Sequence, residues 1–442
     1  MSEEVQKAPE PPSLDARRIR RRLVDLVRIP SLGGAEEMAV RRLAEWLVRT
    51  GAEVDSWTDS PSELQRHPHY PGHEVDRAAV PVVMGRVRGA RPGPTLLFTG
   101  HVDVVPAGEW TQWTREPFSG RIDGDRLYGR GSADMKAGLV AALEAFELLA
   151  RGNRDFAGQV LFVAVPGEED SGLGTLAAIR RGYTADAAIV TEPTLAGEAP
   201  AIVVAHAGAI SMRLTVPGLA AHASKRHTGQ SALDHYLAIH DALRREEARL
   251  EGEETDPLMK AFVHPYATNV GVIRGGDWPS TVMDSLQVDL RLGVALGETV
   301  KQAEARIREV VDRAAAADPW LAEHPPDLRV LGRGFGSARI PSDHPLVSGL
   351  AAAAEDIYEL PATVSGAPYA CDMSGWVRLA GIPTVLYGPG DIGLAHGLDE
   401  WVSLTHTRRV ARVLYETARK LLTEEMEDEL DARALDRTRD EA

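Results

Sequence analysis

The sequence predicts an α/β protein with a mixed, mostly parallel sheet sandwiched by helices, interrupted by an inserted ferredoxin-like α+β module. Three observations predict it. From about Leu14 to Pro200 helical and strand periodicities alternate, which places helices on both faces of a mixed or parallel sheet. From about Ala205 the order becomes strand, helix, strand, strand, helix, strand, the arrangement of a small two-layer unit. Near Ser342 the first pattern resumes, so a larger domain (14–204 and 333–424) encloses the smaller one (205–332).

The first helix is read from "IRRRLVDLVRI", where Ile19, Leu23, Leu26 and Val27 fall at helical spacing and the run Arg17 to Arg22 is its solvated face. A helix through "AEEMAVRRLAEWLVRTG" follows, then "TDSPSELQRHPHYPGHEVDR" (Thr58 to Arg77), whose Pro, His and charge predict a surface loop near the active face. Strands "PVVMGRVRG" and "TLLFTGHVDVV", helix "MKAGLVAALEAFELLARG", and strands "QVLFVAVP" and "AAIVTEP" complete the first part. The module runs from "ISMRLTVPG" through helix "SALDHYLAIHDALRREEARL", strands "TNVGVIRGG" and "TVMDSLQVDLRLG", and helix "TVKQAEARIREVVDRAAAA" to the short strand "DLRVLG". Helix "HPLVSGLAAAAEDIYEL", strand "IPTVLYGPG" and helix "THTRRVARVLYETARKLL" close the larger domain. Residues 425–442 are charged and nearly free of large apolar side chains, and read as an acidic tail.

Composition excludes several classes. With 49 Lys and Arg against 65 Asp and Glu, a net charge of -16 argues against binding nucleic acid through phosphate neutralisation. The apolar runs have the length of buried strands, too short to span a bilayer, so no membrane partner is expected. The one cysteine, Cys371, has no internal disulfide partner, and the polar N-terminus carries no apolar signal region, which together predict a cytoplasmic protein.

Five segments supply acidic or imidazole groups where a strand gives way to a loop: "GHVDVVP", "GRGSADMKAG", "PGEEDSG", "TEPT" and "AHGLDEW". His101 and Asp103 are two apart in an extended run and share a face, so Asp103 can hold the second ring nitrogen of a metal-bound His101; a surface histidine beside a turn fits equally. Asp134 precedes a helix and could simply cap it, and Glu192 at a strand end could be a solvated acid. Glu168 and Glu169 project differently from a loop at the end of a strand, so one could bind a metal and the other face a water on it. Together His101, Asp134, Glu169, Glu192 and His396 make a nitrogen and oxygen set suited to two zinc ions, with cobalt or manganese as substitutes.

These segments, with "LVRIPS", "WTREPFSGRIDGDRLYGRGSADMKAGLVAAL", "VPGLAAHAS" and "GIPTVLYGPGDIGLAHGLDEWV", resemble the zinc-dependent deacylase and peptidase family of acetylornithine deacetylase, succinyl-diaminopimelate desuccinylase, aminoacylase and glutamate carboxypeptidase. The resemblance covers nearly the whole chain, and is most like the acetylornithine deacetylase branch. It implies a zinc aminopeptidase-like catalytic domain whose inserted module is a lid and dimerisation domain, giving a homodimer. It implies that His101 and Glu192 bind one zinc, Glu169 and His396 the other, and Asp134 bridges them. Asp103 then orients His101, Glu168 is the general base, and the peptide after Asp134 is cis. His222 reaches toward substrate, often across the dimer; as a bare residue it could equally be a turn former. Arg291 would hold the substrate carboxylate, or be a surface charge on an edge strand, and Asn269 would touch substrate.

The sequence departs from the family pattern at "WPSTVMD" and at "GAPYACDMSGW", where Cys371 reads as a small buried residue rather than a nucleophile. The expected function is hydrolysis of an N-acyl amino acid or short peptide, acetylornithine first, with dipeptidase, carboxypeptidase, desuccinylase and deformylase activities as alternatives. A non-catalytic metal-binding homologue is the outside alternative, and Glu168 argues against it because binding alone needs no base. A phosphate or dinucleotide site at "GPGD" or "GRGSAD" lacks a complete glycine-rich motif.

Overall fold

The computed structural model describes residues 13–152, 154–195 and 197–423. The expected tail 425–442 lies outside them, as does residue 424.

The larger sheet has nine strands. Four central ones, Ala157–Val165, Arg91–His101, Ala187–Val190 and Thr384–Leu386, lie side by side and parallel. Their side chains are buried on both faces for most of their length, as expected of parallel strands covered by helices. Antiparallel strands Val80–Arg88 and Glu53–Asp59 extend one side. On the other lie Ala201–His206 and Ala338–Arg339, with Thr363–Ala367 parallel to Ala201–His206. The order puts Ala157–Val165 to one side of Arg91–His101 and Ala187–Val190 to the other. Right-handed crossovers therefore carry helices Ala137–Arg151 and Leu173–Arg180 over opposite faces. Nearly every residue of Ala137–Arg151 is buried, because helices Ala16–Val27 and Leu404–Leu421 pack over it.

Strands Gly208–Pro217, Thr268–Gly275, Ser285–Val294 and Asp327–Phe335 form a separate antiparallel sheet with its own core against helices Ala232–Glu253 and Val300–Ala316. Numbered along the chain, its order is second, third, first, fourth, which is the ferredoxin-like arrangement. The chain changes sheets between His206 and Gly208 and again between Phe335 and Ala338. Ala338 pairs with His206 on the large sheet and Phe335 with Ala209 on the small one, so exit and return run side by side.

Two expectations need correction. In the run Arg17 to Arg22 only part of the face is solvated: Arg18 and Arg22 turn inward to Glu144 and Glu147, whose carboxylates are wholly buried in helix Ala137–Arg151. Buried carboxylates in an otherwise apolar helix demand cations, and the helix spacing supplies them. The Thr58 to Arg77 segment is likewise no plain surface loop. It starts as the end of strand Glu53–Asp59, buries Leu64 in the short helix Pro61–Leu64, and sinks Arg77 against Asp170 and Glu36.

Candidate active site

Four of the five proposed ligands stand just beyond parallel strands, at their carboxyl ends, where a sheet of this type opens its pocket. His101 ends strand Arg91–His101, Glu168 and Glu169 follow Ala157–Val165, Glu192 follows Ala187–Val190, and His396 follows the turn after Thr384–Leu386. Asp134 comes from the segment before helix Ala137–Arg151. Its φ of -114° and ψ of 96° are not helical, and that helix has no side-chain cap, so Asp134 is not spent on capping. The peptide bond Asp134–Met135 is cis, as the resemblance implies.

The structure brings these side chains together around Asp134. Its Oδ1 lies 3.1 Å from His101 Nε2, which is also 3.6 Å from a Glu192 oxygen. Its Oδ2 lies 3.5 Å from His396 Nε2, which is 3.0 Å from a Glu169 oxygen. One carboxylate thus faces two separate histidine and glutamate pairs. Two donors bound at 2.0–2.1 Å to a tetrahedral divalent cation sit about 3.3 Å apart, so both pairs have the spacing of ligands sharing an ion. His101, Asp103 and Glu192 are almost wholly buried, which removes the surface readings of His101 and Glu192. A second group of possible ligands, Glu247, Glu251 and His264, lies in the module. Glu247 there already accepts from Arg244 and from the Thr268 N–H.

The carboxylates crowd one buried space, and their proton affinities show it. Burial, the charges of Glu192, Asp372 and Glu169 push the Glu168 carboxyl well above the usual range, against the pull of His101. Burial and Asp134 do the same to Glu192. Burial works against a charge on His101, but hydrogen bonds to Asp103 and Asp134 outweigh it and raise the imidazole well above normal. Hydrogen bonds to Asp134 and Glu169 raise His396 to about 10. Excess buried anion beside imidazoles is the electrostatic environment that divalent cations stabilise, so the donor set fits them.

Asp103 holds the site more than one way. Its backbone carbonyl is 3.0 Å from His101 Nδ1, its carboxylate is 3.5 Å from the same nitrogen, and that carboxylate accepts from the N–H groups of Glu168 and Glu169. It therefore aims the ring and pins the Glu168–Glu169 loop. Gly167 makes that loop possible: at φ +74° a Cβ would lie 1.8 Å from the Arg77 guanidinium passing beneath it. The "LVRIPS" segment is a brace, since Ser31 donates to the Val102 carbonyl and the buried Lys136 ammonium donates to the Ile29 carbonyl.

One residue of evident structural weight was not singled out in the sequence. Glu400 is 1 % exposed and accepts from Arg130 (2.7 Å) and from the N–H groups of Gly131 (3.0 Å), Ala133 (2.8 Å) and Asp134 (3.2 Å). Arg130 also donates to the His396 carbonyl at 3.1 Å. Glu400 and Arg130 thus fix the backbone of two ligands from opposite ends of the chain. It lies inside the quoted "AHGLDEW", but only contact with distant Arg130 reveals its task.

Of the proposed substrate residues, Arg291 lines the cavity above Asp134, Glu168, Glu169, Glu192 and His396. Asn269 faces Arg291 across the strand pair, exposed and outside that lining. His222 is exposed and caps a short turn, its Nδ1 accepting from the Ser224 N–H at 3.2 Å, and a single chain does not bring it to the cavity.

The fold and this cluster define a metallopeptidase-type amide hydrolase with a mixed α/β sheet, carrying an inserted module over its active face. Residues 97–420 match the model of Peptidase family M20/M25/M40, and the chain belongs to that family, whose members hydrolyse amide bonds. It is 28% identical over 391 residues to N-formyl-4-amino-5-aminomethyl-2-methylpyrimidine deformylase of Bacillus subtilis, covering 84% of this chain and 86% of the relative. The fold matches an M20 family metallo-carboxypeptidase from Sulfolobus solfataricus with a TM-score of 0.70 at 17% identity, over 91% of this chain and 98% of that one. It also matches a Bacillus subtilis protein described as a dinuclear metal binding peptidase from the M20 family (TM-score 0.60, 15% identity, 92% and 98% covered). Among the described residues no helix is long and apolar enough to cross a membrane.

Proposed function

We propose that the chain removes an acyl group from an N-acyl amino acid, using His101, Asp134, Glu169, Glu192 and His396 to hold two zinc ions, with cobalt or manganese as substitutes. The observation that carries this reading is the two-sided placement of Asp134 between separate histidine and glutamate pairs. When bound, a pair of divalent cations supplies Lewis acidity, polarising the scissile carbonyl and lowering the pKa of a water toward neutrality. Glu168, buried beside the ligands and absent from their close pairs, takes the water proton as the oxygen adds to the acyl carbon. The C–N bond then breaks and the same proton passes to the leaving nitrogen, so one amide and one water become a carboxylic acid and an amine, which ionise to a carboxylate and an ammonium. Arg291 at the cavity holds the substrate carboxylate, and His222 acts from a neighbouring subunit.

Homodimerisation through the module is supported by its exposed apolar side chains, among them Leu233, Leu237, Ile273 and Trp278. A cytoplasmic setting is consistent with a single buried cysteine. Acetylornithine is one candidate substrate, and the deformylase name of a relative widens the acyl range to formyl. The test is Glu168→Gln. The variant should bind zinc like the parent and lose about 10²- to 10⁴-fold in turnover of N-acyl amino acids; equal turnover with normal zinc refutes the assignment.

A further inference from the structure

Residues 70–77 touch both parts of the molecule. On the module side the Pro71 carbonyl and Glu74 Cγ come within 3.5 and 4.0 Å of where a Cβ on Gly332 would stand, so the segment lies against strand Asp327–Phe335. The Glu74 carboxylate faces Ser211 and Arg291, which are cross-strand partners on one face of the module's sheet. On the other side the segment is tied to the loop that carries Glu168 and Glu169. Asp170 accepts from the N–H groups of Glu74 and Val75, both at 3.3 Å, and from Arg77 Nη2 at 2.5 Å. Arg77, its side chain wholly buried, passes beneath Gly167 and also meets Glu36 at 3.3 Å. Glu74 is therefore held at both ends, by its N–H to the loop and by its carboxylate to the module. The loop itself is closed, with the Ser171 and Gly172 N–H groups donating to the Gly167 carbonyl at 3.2 and 2.7 Å. Displacing Asp170 thus displaces Glu168 and Glu169 with it. Burial opposes a charge on Asp103, yet His101, the Glu169 N–H and the Arg77 guanidinium hold its carboxyl below the usual range, so the same arginine supports the group that pins the loop.

We propose that Glu74, Asp170 and Arg77 are positioning residues that set the Glu168–Glu169 loop by the position of the module. This deepens the proposed amide hydrolysis, and rests on it for the role of Glu168. Packed groups hold discrete arrangements rather than bending continuously, and each link here is a direct contact, so a shift of the module at Ser211 and Gly332 reaches the loop through one residue. A reacting group moved by about 1 Å can cost about 10²-fold in rate, so a small slackening at Glu74 is enough to be read in turnover. A fixed brace would need no contact with the module, since Arg77 with Glu36 and Asp170 already closes within the larger domain. Glu74 adds that contact, beside an arginine that lines the ligand cavity.

The experiment uses the full chain. In metal-free protein Glu74→Ala, at an exposed residue, should speed hydrogen exchange of the Glu168 and Glu169 amides about tenfold and leave the amides of strand Ala187–Val190 unchanged. Exchange within about twofold of the parent at both amides overturns the proposal. In zinc-loaded protein the variant should lose about tenfold in kcat for N-acetylornithine or N-formylmethionine, whichever the parent turns over, without a rise in KM, because Arg291 stays in place for the substrate carboxylate. A raised KM with kcat unchanged overturns the coupling and leaves Glu74 a mere neighbour of Arg291. Combining Glu74→Ala with Asp170→Asn should cost no more in kcat than Asp170→Asn alone, since both cut one path, whereas losses that multiply overturn it. Should Asp170→Asn not fold, exchange in Glu74→Ala decides alone. A parent that hydrolyses no N-acyl amino acid, dipeptide or N-formyl amine overturns the amide-hydrolysis reading, and the exchange result still decides for or against the coupling.

Discussion

Replacing Glu400 by glutamine keeps the shape of the side chain and removes its charge from the centre of the ligand loop. In the native fold one oxygen accepts from Arg130 and Gly131, the other from Ala133 and Asp134. A glutamine has one oxygen and one NH2, so whichever way it turns, two buried donors face a donor. Each charge-assisted bond lost is worth about 1.5–3 kcal/mol, and stranding a buried partner such as Arg130 costs about 3–5 kcal/mol in all. Local opening of the loop should therefore become easier by about 3 kcal/mol or more, which is a hundredfold or greater acceleration of exchange at about 1.4 kcal/mol per decade. The assay is hydrogen exchange of the Gly131, Ala133 and Asp134 amides in metal-free protein. Zinc affinity, read by chelator competition, should fall about 10- to 100-fold, as for other groups that orient ligands. Exchange within threefold of the parent, with zinc affinity unchanged, would refute the claim that Glu400 holds the loop.

Zinc loading near pH 7.5 should expel at least one proton per chain, because the metal-free fold keeps His396 protonated to about 10 and that imidazole must be neutral to bind a metal. Titration calorimetry in buffers of different ionisation enthalpy reads this directly, and no release contradicts the paired imidazoles. The same shift sets a pH trend: stabilisation from the His396 ion pairs is complete below about 6.5 and fades as pH rises through about 10. The metal-free protein should accordingly lose thermal stability toward alkaline pH more steeply than the loaded one. Gly138→Ala tests a packing claim, since alanine in a helix normally gains about 1 kcal/mol over glycine. Here its Cβ would fall 1.9 Å from the Thr191 carbonyl beside Glu192, so the variant should melt lower, by about 1–3 kcal/mol, and bind zinc more weakly; a higher melting temperature would contradict the contact.

The parts of the site written in local sequence were the parts that strand ends present. His101, Glu169 and Glu192 each close an apolar run, and the α/β alternation says that such ends converge. Asp134 shows the limit: an acid ahead of a helix reads as a cap, and only its non-helical backbone reveals otherwise. The ion pairs were hidden because they join distant segments, as Glu400 to Arg130 and Asp170 to Arg77. One signal was present for Glu144 and Glu147, two acids inside "VAALEAFELLA", since carboxylates in so apolar a helix require cations nearby. Strand Ala201–His206 was missed where its apolar run abuts the change of sheets at Gly208. For His222 and Asn269 the resemblance alone suggested a role, and no local pattern speaks to it.

Diffraction from zinc-loaded crystals at the zinc absorption edge tests the central claim most directly. The account predicts two anomalous peaks about 3.5–4 Å apart, one against His101 and Glu192, the other against Glu169 and His396, with Asp134 touching both. A single peak, or zinc held instead by Glu247, Glu251 and His264, would contradict it.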